Sequence, residues 1–438
     1  MQKANDCPRE TTMARYLDAL LSELDCWVRP ELKSDQSFFY YRSIRRVLAA
    51  FTAEAPPQPV VLEAPVAPFP GDVTALCDDE LNAAALREAD ELDVALRRVD
   101  ARLARVDAAT DMMDVTPETL QNCLRALGHA EARVIAMRIV TGGRSKQTLL
   151  FSADGLVDLP RDLVMRRDIQ TGTLGTAVVD EFELLKALHA NGVNVPKPYI
   201  CVEDASLIGT PFLLMRAVAG AVAGESIVAP TARYKVLAAA PELARVHKVP
   251  LKEVQGLPMF ARAVEKNPLC ESEALYELWS KQARGSSSIA EAAFRWLLAN
   301  APHVTPHRVL VHGDYNFHNL LFEGDGLSAV LDWELAHIGH PAEDLGYIKQ
   351  CVEQTVRWDT FMAAYRAAGG IEVTARDVTV FTLLTTLRLM TYILRSRAFF
   401  EAGNTDSIQK LEVSVHFMPR LLRQVANEMR RIINNGAR

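Results

Sequence analysis

The chain has no CxxC pair: its seven cysteines (Cys7, Cys26, Cys77, Cys123, Cys201, Cys270 and Cys351) are odd in number and widely scattered. That excludes a cysteine zinc ribbon, a dithiol redox motif and a fully paired disulfide framework, and the thiols read as reduced. An excess of positive charge is also missing. A formal net charge of -7 and a pI near 5.9 leave no global field to gather nucleic acid or an anionic membrane surface, so any phosphate site must be built locally. Nor does any run approach the roughly 20 apolar residues that span a bilayer. The N-terminal MQKANDCPRETT lacks the apolar core of a signal peptide. A cytoplasmic protein with neither nucleic-acid nor membrane partners is expected. The chain does have length and apolar content. Its 438 residues, 49% of them hydrophobic, suffice for two or three domains.

Residues 1–112 read as a helical region without chemistry. Met13, Leu17, Leu20, Leu21 and Leu24 share one helical face, and Ile44, Val47, Leu48 and Phe51 another. Prolines crowd the segment 54–72, which reads as an extended linker. Beyond it Ala85, Ala89, Leu92, Leu96, Val99, Leu103 and Val106 recur four and three apart. Packing on the chain's own helices is the preferred reading of that seam, and self-association through it the alternative. A second domain opens at Thr116-Pro117-Glu118, an N-cap, a first-turn proline and an acid. RVIAMRIV (133–140), QTLLF (147–151) and LVMR (163–166) predict strands, TGGRSK (141–146) a glycine loop, and 176–190 a helix. YICVE and PFLLMRAV predict two further strands. Helical patterns then dominate to the end. The boundaries expected are 113–220 for a mostly β lobe and 221–438 for a mostly α lobe.

The helical half is interrupted by VLVHGDYNFHNLLF (309–322) and LDWELAHIGHPAEDLGY (331–347). Phosphoryl transfer from ATP needs a carboxylate near the attacking hydroxyl and two oxygen ligands holding magnesium against the phosphates. Asp314 suits the first role, and Asn319 with Asp332, at the two edges of one predicted hairpin, suits the second. Upstream, Gly142, Gly143 and Ser145 provide backbone NH groups with little bulk. Val164 and Arg166 fall on one face of a strand, an apolar roof beside a phosphate cation. Glu181 lies on the following helix, available to orient that cation. Each piece alone is common in proteins; their order along the chain makes them mutually supporting.

Six of the ten histidines fall between His303 and His340, which supports an alternative, a histidine-rich metal-dependent hydrolase. Against it, His337-x-x-His340 contains a glycine and precedes a proline, unlike the rigid helical histidine pairs of zinc hydrolases. A third reading is a pseudokinase-like ATP-binding module whose N-terminal helices recruit a partner.

With these motifs the sequence resembles the aminoglycoside phosphotransferase and choline kinase-like superfamily over roughly residues 115 to 425. It is most similar to the phosphotransferase modules associated with acyl-CoA dehydrogenases. The resemblance implies an α+β, bilobal protein-kinase-like fold, with a small antiparallel β N-lobe and a large, mostly α C-lobe, preceded here by the extra helical region. It implies ATP and Mg2+ as cofactors and a small-molecule hydroxyl as acceptor. Asp314 would be the catalytic base, with His312 grouped beside it, and Asn319 and Asp332 the metal ligands. Glu181 would pair with Arg166, the chain from Met215 through Ala217 to Val218 would form the adenine hinge, and Asp344 would brace the catalytic loop. Three departures stand out: Arg166 replaces the usual lysine, the loop reads GGRSK where relatives commonly place an asparagine after the serine, and His340 replaces an aspartate. Trp333, Glu334, His337 and Tyr347 occupy candidate acceptor-pocket positions. Arg388, Arg395 and Arg397 suggest an acidic acceptor, such as a hydroxyacid or hydroxyacyl thioester, over a polycationic antibiotic.

Overall fold

A computed structural model describes residues 115–140, 146–168, 177–224, 228–261, 267–283, 287–401 and 408–436, with a few positions between 82 and 87. The helices expected at 11–53, the proline-rich segment, most of the 85–106 seam and the loop residues Gly142, Gly143 and Ser145 lie outside these residues. In chain order the elements are α1 (Pro117–Ala126), β1 (Arg133–Val140), β2 (Lys146–Asp154), β3 (Asp162–Asp168), α2 (Val178–Ala190), β4 (Pro198–Val202), β5 (Phe212–Arg216), β6 (Ala221–Val222), α3 (Arg233–His247) and α4 (Pro258–Ala261). There follow α5 (Pro268–Ala283), α6 (Ser288–Asn300), β7 (Val309–Val311), β8 (Leu320–Glu323), β9 (Gly326–Val330), β10 (His337–Gly339), α7 (Ala342–Val352), α8 (Trp358–Ala367), α9 (Ala375–Glu401) and α10 (Ile408–Gly436).

The contacts divide the chain into two compact units. One joins Asp111–Lys266 to Thr305–Thr382, and the other joins Met1–Thr110, Asn267–Val304 and Leu383–Arg438. The described residues singled out above for catalysis, nucleotide, metal and acceptor-pocket roles fall in the unit of Asp111–Lys266 and Thr305–Thr382, while Arg388 and Arg395 fall in the other.

That unit contains a five-stranded antiparallel sheet ordered β1-β2-β3-β5-β4. Side chains alternate across it as the pleat requires. Leu149, Phe151, Leu163, Met165, Phe212 and Leu214 join Leu120, Cys123 and Leu124 of α1 in one core. Val164, Leu213 and Met215 face the other way, onto Val178, Leu184, Leu185 and Leu188 of α2. This second core continues through α3, the 315–322 segment, α7 and α8, where Tyr315, Phe317, Trp333, Leu345 and Phe361 are fully buried. The helix starts follow local chemistry. Thr116 Oγ1 accepts the Thr119 N–H at 3.1 Å to cap α1. For α2 the cap comes from afar: Asp168, at the end of β3, accepts the Val178 N–H at 3.3 Å and the Lys146 ammonium at 2.5 Å.

In the other unit α6 packs between α5 and α10. Tyr276 donates to the buried Glu291 at 2.7 Å, and Tyr276 and Trp279 both lie against Phe294. Within α9, Ala375–Arg395 is by length and composition apolar enough to cross a bilayer. This corrects the expectation that no such run exists, which was set by its scattered threonines and arginines. With 72% of that window buried inside the protein, it behaves as a core helix.

Candidate active site

Arg166 is the centre of the first cluster. Its strand carries it to the face it shares with Val164, and its neighbour β5 pairs Val164 with Met215 and Arg166 with Leu213. One guanidinium nitrogen lies 3.0 Å from Glu181 on α2 and the other 2.5 Å from Asp332, with Glu334 at 4.0 Å. Glu181 is 2% exposed. Burial pulls the arginine's pKa down, but the carboxylates of Glu181 and Asp332 outweigh it and hold it above its ordinary value. Burial pushes the Glu181 carboxyl up, aided by the charge of Asp332 and opposed by Arg166. Val164 and Met215 are buried beneath this pair. Ala217 follows the strand, and its N–H is taken by the Asp162 carbonyl at 3.1 Å.

The loop after β7 holds the second cluster. Asp314 is half-buried and accepts the Asn319 side-chain NH2 at 2.9 Å. It also takes His318 Nε2 at 3.2 Å and the Tyr347 hydroxyl from α7. Burial works against its charge, yet the hydrogen bond and electrostatic influence of His318, with those of His312 and Tyr347, hold its carboxyl below the usual range. Burial and the Asp314 charge push the Tyr347 phenol well up, so it stays a donor. The Asn319 NH2 also bonds the Asp314 carbonyl at 3.0 Å, which leaves its Oδ1 as the outward-facing acceptor. Asp332 has φ 63°, a left-handed conformation uncommon outside glycine and held only where the surroundings over-determine it. The Leu331 N–H bonds the Asn319 carbonyl at 2.8 Å, tying the two candidate metal ligands to one piece of backbone.

The loop is fixed from beneath by Asp344, which is completely buried. Its carboxylate accepts the backbone N–H groups of His312 at 2.8 Å and Gly313 at 2.9 Å, and His247 Nε2 from α3 at 3.1 Å. The other nitrogen of His247 meets the Tyr365 hydroxyl of α8 at 2.8 Å. Gly313 has φ 83°, and a Cβ there would stand 2.5 Å from the Leu335 carbonyl oxygen, so only glycine lets the two segments approach. His312 is buried with both ring nitrogens engaged. Nε2 donates to the Leu331 carbonyl at 2.9 Å and Nδ1 accepts the Asp314 N–H at 3.1 Å, so the side chain staples the loop to the Asp332 segment.

His337 and His340 make structural contacts. His337 spans the Leu335 carbonyl at 2.9 Å and Glu343 at 3.0 Å. His340 accepts the Ala342 N–H at 3.1 Å and stacks on Phe381 with ring centroids 4.8 Å apart. Among the described residues no group of three or more His, Cys, Asp or Glu side chains converges as a metal centre would. Trp333, placed among the acceptor-pocket candidates, is instead a core residue: it is fully buried against His312, and its indole N–H donates to the Val330 carbonyl at 3.2 Å. Glu334 turns toward Arg166.

Burial lowers the His340 pKa from 6.5 to about 4. The unfolded imidazole therefore binds a proton between those values while the folded one does not, and acid drains stability across that window. Up to about 3 kcal/mol should be lost between neutral pH and pH 4 from this group. Urea midpoints at pH 7 and pH 5 check it: the fall should shrink in His340→Phe.

Two residues carry more than their sequence context suggested. His318, one of six histidines in a short segment with nothing in the pattern to set it apart, contacts Asp314. His247, in the helical run LARVHKVP, had no signal at all, because its partners lie 97 and 118 positions away.

Asn319 and Asp332 form an oxygen donor set that suits a hard dication such as magnesium. Asp332 fits that use, since only its Oδ1 is bound to Arg166 and its side chain is 36% exposed.

The model of the phosphotransferase enzyme family (APH) matches residues 136–379, more than half of the chain. Acyl-CoA dehydrogenase family member 11 of Gallus gallus is 29% identical over 242 residues, 53% of this chain and 30% of that protein. Acyl-CoA dehydrogenase family member 10 of Mus musculus is 35% identical over 200 residues, 43% of this chain and 18% of that protein. The chain thus spans less than a third of these relatives. Among solved structures, an aminoglycoside phosphotransferase homologue from Ralstonia eutropha has a TM-score of 0.54 at 19% identity, covering 72% of this chain and 98% of that one. Spectinomycin phosphotransferase APH(9)-Ia, solved with ADP and its antibiotic, has a TM-score of 0.52 at 10% identity, covering 73% and 99%. At such identities the likeness is one of fold, and it is the kinase-like α+β fold expected.

Proposed function

Since the chain belongs to the phosphotransferase enzyme family and is a small-molecule phosphotransferase acting on an alcohol group, we propose that the Asp314 cluster transfers the γ-phosphoryl of ATP to a hydroxyacid or hydroxyacyl thioester. The observation that carries the site assignment is the bridge made by Arg166, which holds Glu181 at 3.0 Å and also Asp332, 166 positions from itself in sequence, at 2.5 Å. It sets a phosphate-binding cation beside a carboxylate suited to the accompanying metal. Arginine keeps its charge throughout and can grip phosphate with two nitrogens, so the lysine it replaces is not required for binding.

Asn319 Oδ1 and Asp332 are the atoms that would hold magnesium, which when bound neutralises charge on the transferring phosphates. Glu181 orients Arg166. The base would rest against Val164 and Met215 and reach the backbone that follows Ala217. Asp314, ionised and held by three donors, orients the acceptor hydroxyl and takes its proton late, because a loose transition state asks for positioning more than for basicity. Asp344 and His312 keep the loop in register for that task.

The acidic or thioester acceptor is supported by the named relatives, which are acyl-CoA dehydrogenase family members. An exposed Leu335 beside Gly313 would suit an acyl chain over a polycation. Arg388 adds nothing to this, as it is paired with Glu271 at 2.5 Å.

Thermal shift tests the nucleotide half of the assignment. ADP with magnesium should raise the melting temperature by several degrees, roughly as expected for a ligand present at 100 times its Kd. Chelation or Asp332→Asn should remove most of that rise. An equal rise in both cases would overturn the role given to Asp332.

A further inference from the structure

We infer that His318 is a positioning residue for the transfer, holding the Asp314 carboxylate in one orientation where the acceptor hydroxyl arrives. This rests on Asp314 being the group that meets that hydroxyl. His318 stands in the middle of the Phe317–Asn319 turn, and its Nε2 lies 3.2 Å from Asp314 Oδ2. An ionised carboxylate only accepts, so the nitrogen facing it carries the proton.

The other ring nitrogen makes no bond that would compete for the ring's orientation. Nδ1 of His318 is buried and has no hydrogen-bond partner among the described residues. His247, His312 and His337 each have both ring nitrogens engaged, while His129 and His340, like His318, each leave one buried ring nitrogen without a partner among the described residues; of these three only His318 bonds a carboxylate proposed to meet substrate. His318 leaves one nitrogen unsatisfied and commits its one hydrogen bond to Asp314.

Asn319 alone does not immobilise that carboxylate. Rotation about the last bond of an aspartate is broad, and two oxygens compete for one donor. Asn319 and His318 both donate to Oδ2, at 2.9 and 3.2 Å. Two donors on one oxygen, with the Tyr347 hydroxyl as a third donor to the carboxylate, hold the plane of the group for the incoming hydroxyl. Asn319 has a second duty through its carbonyl, which makes an independent donor useful.

The test compares His318→Leu with His318→Gln. Leucine keeps the bulk and removes the donor. Glutamine Nε2 stands the same number of bonds from Cβ as histidine Nε2, so it can restore the bond. Magnesium-dependent ATP turnover is measured with 3-hydroxybutyrate, with 3-hydroxybutyryl-coenzyme A and with water alone. Leucine should lower kcat about tenfold to a hundredfold while KM for ATP changes by less than about threefold. Glutamine should recover most of the loss, with the shift in melting temperature by magnesium and ADP confirming that both variants fold and bind. A leucine variant at wild-type kcat, or a glutamine variant as impaired as leucine, would overturn the inference alone. A wild-type protein that turns over ATP with none of the three would overturn the proposed acceptor class and, with it, the role of His318 in presenting Asp314 to that hydroxyl.

Discussion

Asp314→Asn is expected to reduce phosphoryl transfer by about a thousandfold or more while leaving magnesium-dependent ADP binding within a few-fold of wild type. The substitution conserves shape and removes the acceptor that meets the hydroxyl proton. It also turns an amide NH2 toward groups that all donate to this position: the Asn319 NH2 at 2.9 Å, His318 Nε2 at 3.2 Å and the Tyr347 hydroxyl. One orientation of the new amide sets donor against donor; the other presents a donor to the acceptor hydroxyl. Neither restores the geometry of a reacting complex. The nucleotide contacts proposed here belong to Arg166, Glu181, Asn319 and Asp332, which explains why binding should survive. Coupled measurement of ADP release beside calorimetric titration separates the two effects.

Arg166→Met should cost both stability and nucleotide affinity. The methionine fills part of the space, but Glu181, only 2% exposed, is left facing Asp332 and Glu334 with no cation between them. Removing one partner of a buried ion pair typically costs about 3 to 5 kcal/mol, since the remaining charge stays desolvated. Burial already raises the Glu181 carboxyl in the wild type, so in the variant it should accept a proton more readily still. The unfolded state would then bind fewer protons than the native variant above the ordinary glutamate range, and the deficit should narrow on acidification toward pH 5. Nucleotide binding should fall further than stability alone explains, because the phosphates would meet uncompensated carboxylates. Arg166→Lys restores charge without the two-pronged reach and should fall between. Urea denaturation at pH 7.5 and pH 5, with and without magnesium and ADP, checks each part.

The strands of the five-stranded sheet were legible because alternation is local. LVMR and PFLLMRAV show which residues face which core, and Leu163, Met165 and Val164 divide between the two cores accordingly. The sequence cluster 309–347 was legible for a different reason, the chemistry of its residue types at close spacing. Contacts made by a chain returning from far away were not. Asp344 receives His247 from 97 positions upstream, and no pattern around His247 announces it. Trp333 shows the reverse: its place between Asp332 and Glu334 suggested a pocket, while the backbone turn at Asp332 sends the indole into the core. Six histidines in one segment blur one another, and only distance separates His318, which meets Asp314, from those that bond the backbone. The run Ala375–Arg395 was underestimated because its arginines and threonines mask an apolar average.

Phosphorus NMR of the wild-type protein with ATP, magnesium and a panel of hydroxyacids and hydroxyacyl thioesters tests the proposed chemistry most directly. A phosphomonoester resonance that grows in step with ADP and is missing with Asp314→Asn is the expected result. Binding of magnesium and ADP with no phosphomonoester from any member of the panel would contradict transfer to this acceptor class. A phosphomonoester formed at the same rate by Asp314→Asn would contradict the role of Asp314 itself.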